Sequence, residues 1–235
     1  VAVPAHTFIA TWIAVRQAGA VPYGLDVDSN GLIDLNKLEG VQDKISANLI
    51  EPIYPSNQIF ITGDTRFDRV VSILERDNSL DFIKQFKNNT ITIVIGSSWP
   101  KDESLLVNYI NQTNEKVKFI IAPHNIKVEQ IQELKNSITK KTVLFSEKEN
   151  TDLSSYDVLI VDTIGILTKI YSYADIAYVG GGFGNPGVHN ILEPATFGIP
   201  IIVGPNFTNF AEAVALVHQE GCVCFTNQNE LIDLI

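Results

Sequence analysis

From about Thr90 to the C-terminus, short β-branched runs alternate with segments of helical period, and this alternation leaves few folds open. The apolar runs are 91–95, 119–122, 143–145, 158–161, 176–179, 199–203 and 223–225. Each is too short for a helix and nearly continuous in apolar residues, the pattern of a strand covered on both faces. Between most of them lie 102–112, 127–136, 164–174, 190–197 and 208–219, which carry polar residues at helical spacing. Strands joined through helices run parallel, so the sequence predicts an α/β fold, a Rossmann-like parallel sheet with helices on both faces. Such sheets bind ligands beyond the carboxyl ends of their strands. Three turns fall there: Gly96-Ser97-Ser98, Pro123-His124 and the glycine-rich run that starts at Gly180.

That run (Gly180, Gly181, Gly182, Phe183, Gly184, Asn185, Pro186, Gly187, Val188, His189, Asn190) leads into a short helical segment carrying Glu193. Glycines let backbone N–H groups approach a ligand closely, and a helix N-terminus adds partial positive charge, so the turn is a phosphate candidate. Glu193 is placed to accept hydrogen bonds from sugar hydroxyls, which makes the region a nucleotide or nucleotide-sugar pocket. The competing reading of Asn190 and Glu193 is a capping box, with the carboxylate three residues after the cap. Gly96, Ser97 and Ser98 form a second phosphate candidate, against the alternative of a serine cap on the helix near Asp102. His124 and His189 sit on the same rim as candidate ligand contacts. His6 and His218 have no partners at ligand spacing and read as surface or satisfied histidines.

The formal charge of −10 over 235 residues argues against nucleic acid and against adhesion to anionic lipid. Cys222 and Cys224, at i and i+2, read as buried thiols of a reducing compartment, since neither a second cysteine pair nor a nearby histidine completes a zinc site. No apolar run reaches about 18 residues, so no transmembrane segment is expected. The chain has no methionine, starts within an element and ends on an unfinished helix at 231–235, and so reads as a fragment at both ends.

Residues 1–47 break the pattern. They read as a strand end, a helix at 7–18 closed by Gly19, a strand at 21–26 and a short helix at 35–38: a βαβ piece too small to bury a core alone. Residues 48–89 hold a strand at 58–62 and an amphipathic helix near 67–76, with a seam between Asp43 and Gln58. The regular strand–helix pattern, with its candidate nucleotide-sugar pocket, then occupies 90–235. Asp26 and Asp28 have the spacing of a metal-holding pair but read as a strand end with solvated carboxylates, not as a metal site.

The succession Thr62-Gly63-Asp64-Thr65-Arg66-Phe67-Asp68, Ile95 to Pro100, Ile120 to His124, Val161 to Leu167, Tyr171 to Asp175, Gly180 to Pro194, and Gly204-Pro205 with Asn209-Phe210 resembles the Kdo transferases of lipopolysaccharide synthesis. The resemblance implies the C-terminal half of a two-domain GT-B glycosyltransferase. That half binds the donor CMP-Kdo, while the N-terminal half holds the lipid A precursor and the catalytic carboxylate. It implies donor contacts at Gly96, Ser97, Ser98, His124, Asn185, Gly187, His189, Asn190 and Glu193, no catalytic residue in this chain, no metal and no cofactor. It also implies an enzyme working at the cytoplasmic face of the inner membrane, of which this chain alone is inactive. Many family members carry an arginine between the proline and the histidine of the Pro-His turn; here Pro123 precedes His124 directly, leaving Lys127 or Lys101 as replacements.

Residues 1–47 resemble another family, the DegT/DnrJ/EryC1/StrS sugar aminotransferases that use pyridoxal phosphate, through Val3 to Ala10, Ala18-Gly19-Ala20, Asp26-Val27-Asp28 and Ile33-Asp34. There the aromatic at the position of Phe8 stacks on the cofactor; here Phe8 and Trp12, at i and i+4, share one helical face and read as packing in preference to cofactor stacking. Nothing further along matches that family's Schiff-base lysine. Pyridoxal phosphate is therefore expected only under this alternative, and a non-catalytic nucleotide-binding fragment is the third reading.

Overall fold

The computed structural model describes residues 2–4, 23–25 and 65–234, with side chains from 70 to 234. The chain divides into two compact units, Val1–Gly63 and Asp64–Ile235. In the first, β1 (Ala2–Pro4) pairs in parallel with β2 (Tyr23–Leu25), Val3 opposite Gly24. Parallel neighbours need a crossover of about a dozen residues or more, which the intervening sequence supplies. The expected helices at 7–18 and 35–38, the strand at 58–62, and His6, Phe8, Trp12, Asp26 and Asp28 lie outside the described residues.

The second unit opens with α1 (Thr65–Glu75) and α2 (Asp81–Lys87). Seven strands follow: β3 (Ile91–Ser98), β4 (Val117–Pro123), β5 (Thr142–Leu144), β6 (Val158–Ile160), β7 (Ile176–Val179), β8 (Ile201–Val203) and β9 (Cys222–Cys224). Their order is β5-β6-β4-β3-β7-β8-β9, and every pairing is parallel. The expected Rossmann-like sheet is present. The connections are α3 (Pro100–Gln112), α4 (Val128–Ser137), α5 (Leu167–Tyr171), α6 (Leu192–Ala195), α7 (Ala211–His218) and, after β9, α8 (Gln228–Leu234).

Alternation along the central strand shows why helices cover both faces. Ile93 and Ile95 enter one cluster with Leu106 and Ile110 of α3 and Ile131 and Leu134 of α4. Val94 enters the other, with Ile83 and Phe86 of α2 and Ile170 and Tyr171 of α5. Burying each such side chain is worth about 1.5–3 kcal/mol, so a polar residue anywhere in 93–95 would cost one layer or the other. At the amino ends of the strands, Asp175 accepts from the Thr92 backbone at 2.8 Å and pairs with Lys87 at 2.7 Å, tying α2 to the sheet. Lys118, buried on β4, donates to the carbonyls of Phe86 and Ser154 at 2.6 and 2.7 Å. This pole holds the layers together. The opposite pole is left for ligands.

From β3 the chain winds to β4, β5 and β6 on one side, then crosses to β7 on the other. The carboxyl ends of β3 and β7 therefore flank a topological switch point, where open α/β sheets bind ligands.

Candidate functional site at the switch point

β3 does not stop at Ile95, as expected from the sequence, but runs to Ser98 through an irregularity between Gly96 and Ser98. Ser97 takes the left-handed conformation, φ 52°, as a bulged residue does. Gly180 passes so close to it that a Cβ would collide with the Ser97 carbonyl, and the Gly180 N–H donates to the Gly96 carbonyl at 2.8 Å. Glycine at 180 is thus a requirement of two backbones meeting. The same holds at Gly182, where a Cβ would lie 2.7 Å from the backbone of Gly204. Asn206 then clamps the turn: its N–H donates to the Gly182 carbonyl at 2.9 Å and its Nδ2 to the Gly184 carbonyl at 3.0 Å.

Asp102, on the first turn of α3 and 1% exposed, joins the two turns. Its Oδ2 accepts from the backbone N–H of Trp99 and of Gly181, both at 2.9 Å, and its Oδ1 from the Tyr178 hydroxyl at 2.6 Å. Burial, and then the neighbouring Asp102 carboxylate, push the Tyr178 phenol well above its ordinary range, so it serves as a donor. Helix α3 is capped by Asp102 reaching back to Trp99, not by a serine. Ser98, 1% exposed, donates its hydroxyl to Glu103 at 2.9 Å, and burial raises the Glu103 carboxyl above its usual range.

The remaining candidates fall into two connected groups. Gly187, His189, Asn190 and Glu193 line a cleft of about 480 Å³ together with Val70, Ile73 and Arg76 of the α1 region, Thr168 of α5 and Phe210. Asn185 is exposed at the tip of the glycine-rich turn. Across the rim, Gly96 is buried, Ser97 half-buried and His124 exposed. Trp99 links the groups: its ring stacks on His124 at 4.5 Å and its Nε1 donates to His189 Nε2 at 2.8 Å. Burial, followed by the charge of His124, lowers the His189 pKa.

Glu193 accepts from the Thr168 hydroxyl at 2.7 Å and from Asn190 Nδ2 at 3.0 Å. Asn190 Oδ1 accepts from the Leu192 backbone at 3.2 Å. The capping box does not form: Asn190 Oδ1 takes the Leu192 N–H, not that of Glu193, and Glu193 reaches the Asn190 side chain, not its backbone. The helix it belongs to spans four residues, Leu192–Ala195, so its dipole adds little to the positive end the sequence suggested. Lys101 and Lys127 are exposed and line no part of this cleft; Arg76 is its cationic side chain among the described residues. Trp99, Asp102, Arg76, Thr168 and Asn206 were not among the expected site residues. Only Trp99 and Asp102 had a local signal, lying at the end of a strand that feeds a helix.

No family model matches the chain. The 3-deoxy-D-manno-octulosonic acid (Kdo) transferase of Chlamydophila psittaci is 29% identical over 184 residues, 76% of this chain and 41% of that protein. The Chlamydia muridarum transferase is 30% identical over 203 residues, 83% of this chain and 46% of its own length. That of Aquifex aeolicus is 36% identical over 125 residues, covering 52% and 34%. The chain thus spans less than half the length of these relatives. The crystal structure of the C-terminal CMP-Kdo binding domain of WaaA from Acinetobacter baumannii superposes with a TM-score of 0.55 at 24% identity, over 66% of this chain and 88% of that domain. The chain is thus similar in sequence to Kdo transferases over 76–83% of its length in two of these relatives, and the fold of its second unit is that of the C-terminal domain.

Proposed function

We propose that the second unit is the donor-binding half of a Kdo transferase, taking CMP-Kdo across the β3–β7 switch point. The observation that carries this reading is the convergence of Gly187, His189, Asn190 and Glu193 on one cleft beside β7, in a chain similar to those enzymes. An ionised carboxylate offers acceptors only, which suits the two hydroxyls of a ribose, so Glu193 takes the sugar of the nucleotide. Arg76, His189 and the backbone of the glycine-rich turn take the phosphate. Transfer releases CMP, and a cation and N–H donors beside its phosphate stabilise the charge as it develops. A base for the acceptor hydroxyl is the second requirement. On this reading the base and the lipid A precursor belong to the part of the relatives that the aligned region does not cover. The chain alone binds donor and does not transfer Kdo.

The same reading sets the work at the cytoplasmic face of the inner membrane. Among the described residues no helix is long and apolar enough to cross a membrane. The resemblance of residues 1–47 to aminotransferases falls almost wholly outside the described residues and adds nothing to the switch-point site. Calorimetric titration of the full chain with CMP, UMP and AMP tests the proposal. Saturable binding that favours CMP is expected; equal affinity for all three, or none, counts against it.

A further inference from the structure

Trp99 follows the last residue of β3, and its half-buried ring lies beside that of His189, centroids 6.1 Å apart and planes within 9°, with His124 stacked against both. His124 lies over the indole at 4.5 Å and 17°, and His189 lies against His124 at 4.6 Å and 25°. Edge to edge, the indole Nε1 of Trp99 donates to Nε2 of His189 at 2.8 Å. An indole nitrogen can only donate a hydrogen bond. His189 Nε2 must therefore carry a lone pair, and the proton of the neutral ring must sit on Nδ1. Among the described residues no hydrogen bond engages that Nδ1, and His189 lines the cleft that holds Asn190 and Glu193.

We infer that Trp99 is a positioning residue: its indole N–H locks His189 as the neutral, Nδ1-protonated imidazole, which presents the bound anion with a hydrogen-bond donor. Protonating Nε2 would break the indole bond and set a cation against the His124 ring. The charged groups around His189 divide. His124, from the β4 end, opposes protonation of His189, and Asp102, from α3, favours it. Arg76, Glu193 and Glu212 face the same cleft, one cation against two carboxylates. Burial and the indole bond oppose protonation as well. The consequence for recognition is specific. The free imidazole offers either nitrogen as donor, but this one offers a single donor in a single direction, as orientation of a phosphate or carboxylate requires.

This inference rests on the donor-site reading, and its test separates the two. Long-range proton–nitrogen correlation NMR on the full chain reads the tautomer directly, with His189→Gln used only to assign the signals. The wild-type chain is expected to show a pyridine-like Nε2 and a pyrrole-like Nδ1 at neutral pH. Trp99→Phe keeps an aromatic ring in the stack and removes the N–H. It should return His189 to a mixture dominated by the Nε2-protonated form and weaken CMP roughly three- to tenfold, the worth of about one neutral hydrogen bond. Cytidine, which lacks the phosphate, should bind the variant as it binds the wild type. A wild-type His189 that is cationic or protonated on Nε2 overturns the inference, whether or not the variant folds. So does a Trp99→Phe chain whose His189 keeps its proton on Nδ1. Absence of CMP binding by the wild type would instead overturn the donor-site reading, with the tautomer still measurable.

Discussion

Removing the Asp102 carboxylate is expected to undo the junction between the two turns that build the site. Asp102→Ala strands three donors: the half-buried N–H of Trp99 and the buried N–H of Gly181, each now bonded at 2.9 Å, and the buried Tyr178 hydroxyl at 2.6 Å. A stranded buried donor costs about 1–3 kcal/mol. Three would sum to about 3–9 kcal/mol, and water entering the vacated volume can satisfy one or two of them. The expected loss is therefore about 3–5 kcal/mol, a large part of the roughly 5–15 kcal/mol that holds a domain folded. Urea unfolding reads it as a lowered midpoint at constant slope. Asp102→Asn should cost less, about 1–2 kcal/mol, because its amide oxygen still serves both backbone N–H groups and its NH2 can donate to the phenol. The sharper test is a double-mutant cycle. In a Tyr178→Phe background one donor is already gone, so Asp102→Ala should cost about 1–3 kcal/mol less than in the wild type. A cost below about 1 kcal/mol, or the same cost in both backgrounds, would refute the reasoning.

Three further outcomes follow from the same geometry. Glu193→Gln should lower CMP affinity at least several-fold in a titration while the melting temperature barely moves, because a glutamine can still accept from Asn190 and donate to Thr168; a lowered melting temperature with unchanged CMP binding would make Glu193 structural. Arg76→Ala should weaken CMP about tenfold, leave cytidine unchanged and flatten the salt dependence of CMP binding, as loss of a charge-assisted contact does; equal losses for CMP and cytidine would place Arg76 away from the phosphate. The Cys222 thiol, pushed up to about 12 by burial and by its neighbour Cys224, should resist alkylation in the native chain, with a labelling rate that climbs steeply with pH or on unfolding. Its thiolate fraction near pH 8 is about 10⁻⁴, so rapid labelling of Cys222 in native conditions would contradict its burial.

Much of the sheet was legible because its strands are nearly continuous apolar runs, and all seven expected runs overlap the observed strands. Ends were less legible where single residues decide them. β3 gains Gly96 to Ser98 through the bulge at Ser97, whose positive φ no composition signals. The helix expected at 164–174 shrinks to Leu167–Tyr171 after Gly165, φ 88°, and the one expected at 190–197 shrinks to four residues before Gly198, φ 68°. Helix α2 was missed although Ile83 and Phe86, three residues apart, carry its buried face and Asn88 closes it in the left-handed conformation. At the site, the glycines could be read because close backbone approach requires them. Their partners could not, since Asp102 meets Gly181 across 79 residues and Trp99 meets His189 across 90. Such contacts are products of strand order, which spacing along the chain does not encode.

Hydrogen–deuterium exchange of the full chain with and without saturating CMP tests the central claim most directly, since it reports where the nucleotide sits. The account predicts added protection in the glycine-rich turn from Gly180 to Glu193 and around Thr168, with a smaller effect at Gly96 to Trp99 and none along β9 and α8. Protection confined to the β9 edge or to residues before Gly63, or no change at concentrations where CMP binds, would contradict a nucleotide site at the β3–β7 switch point.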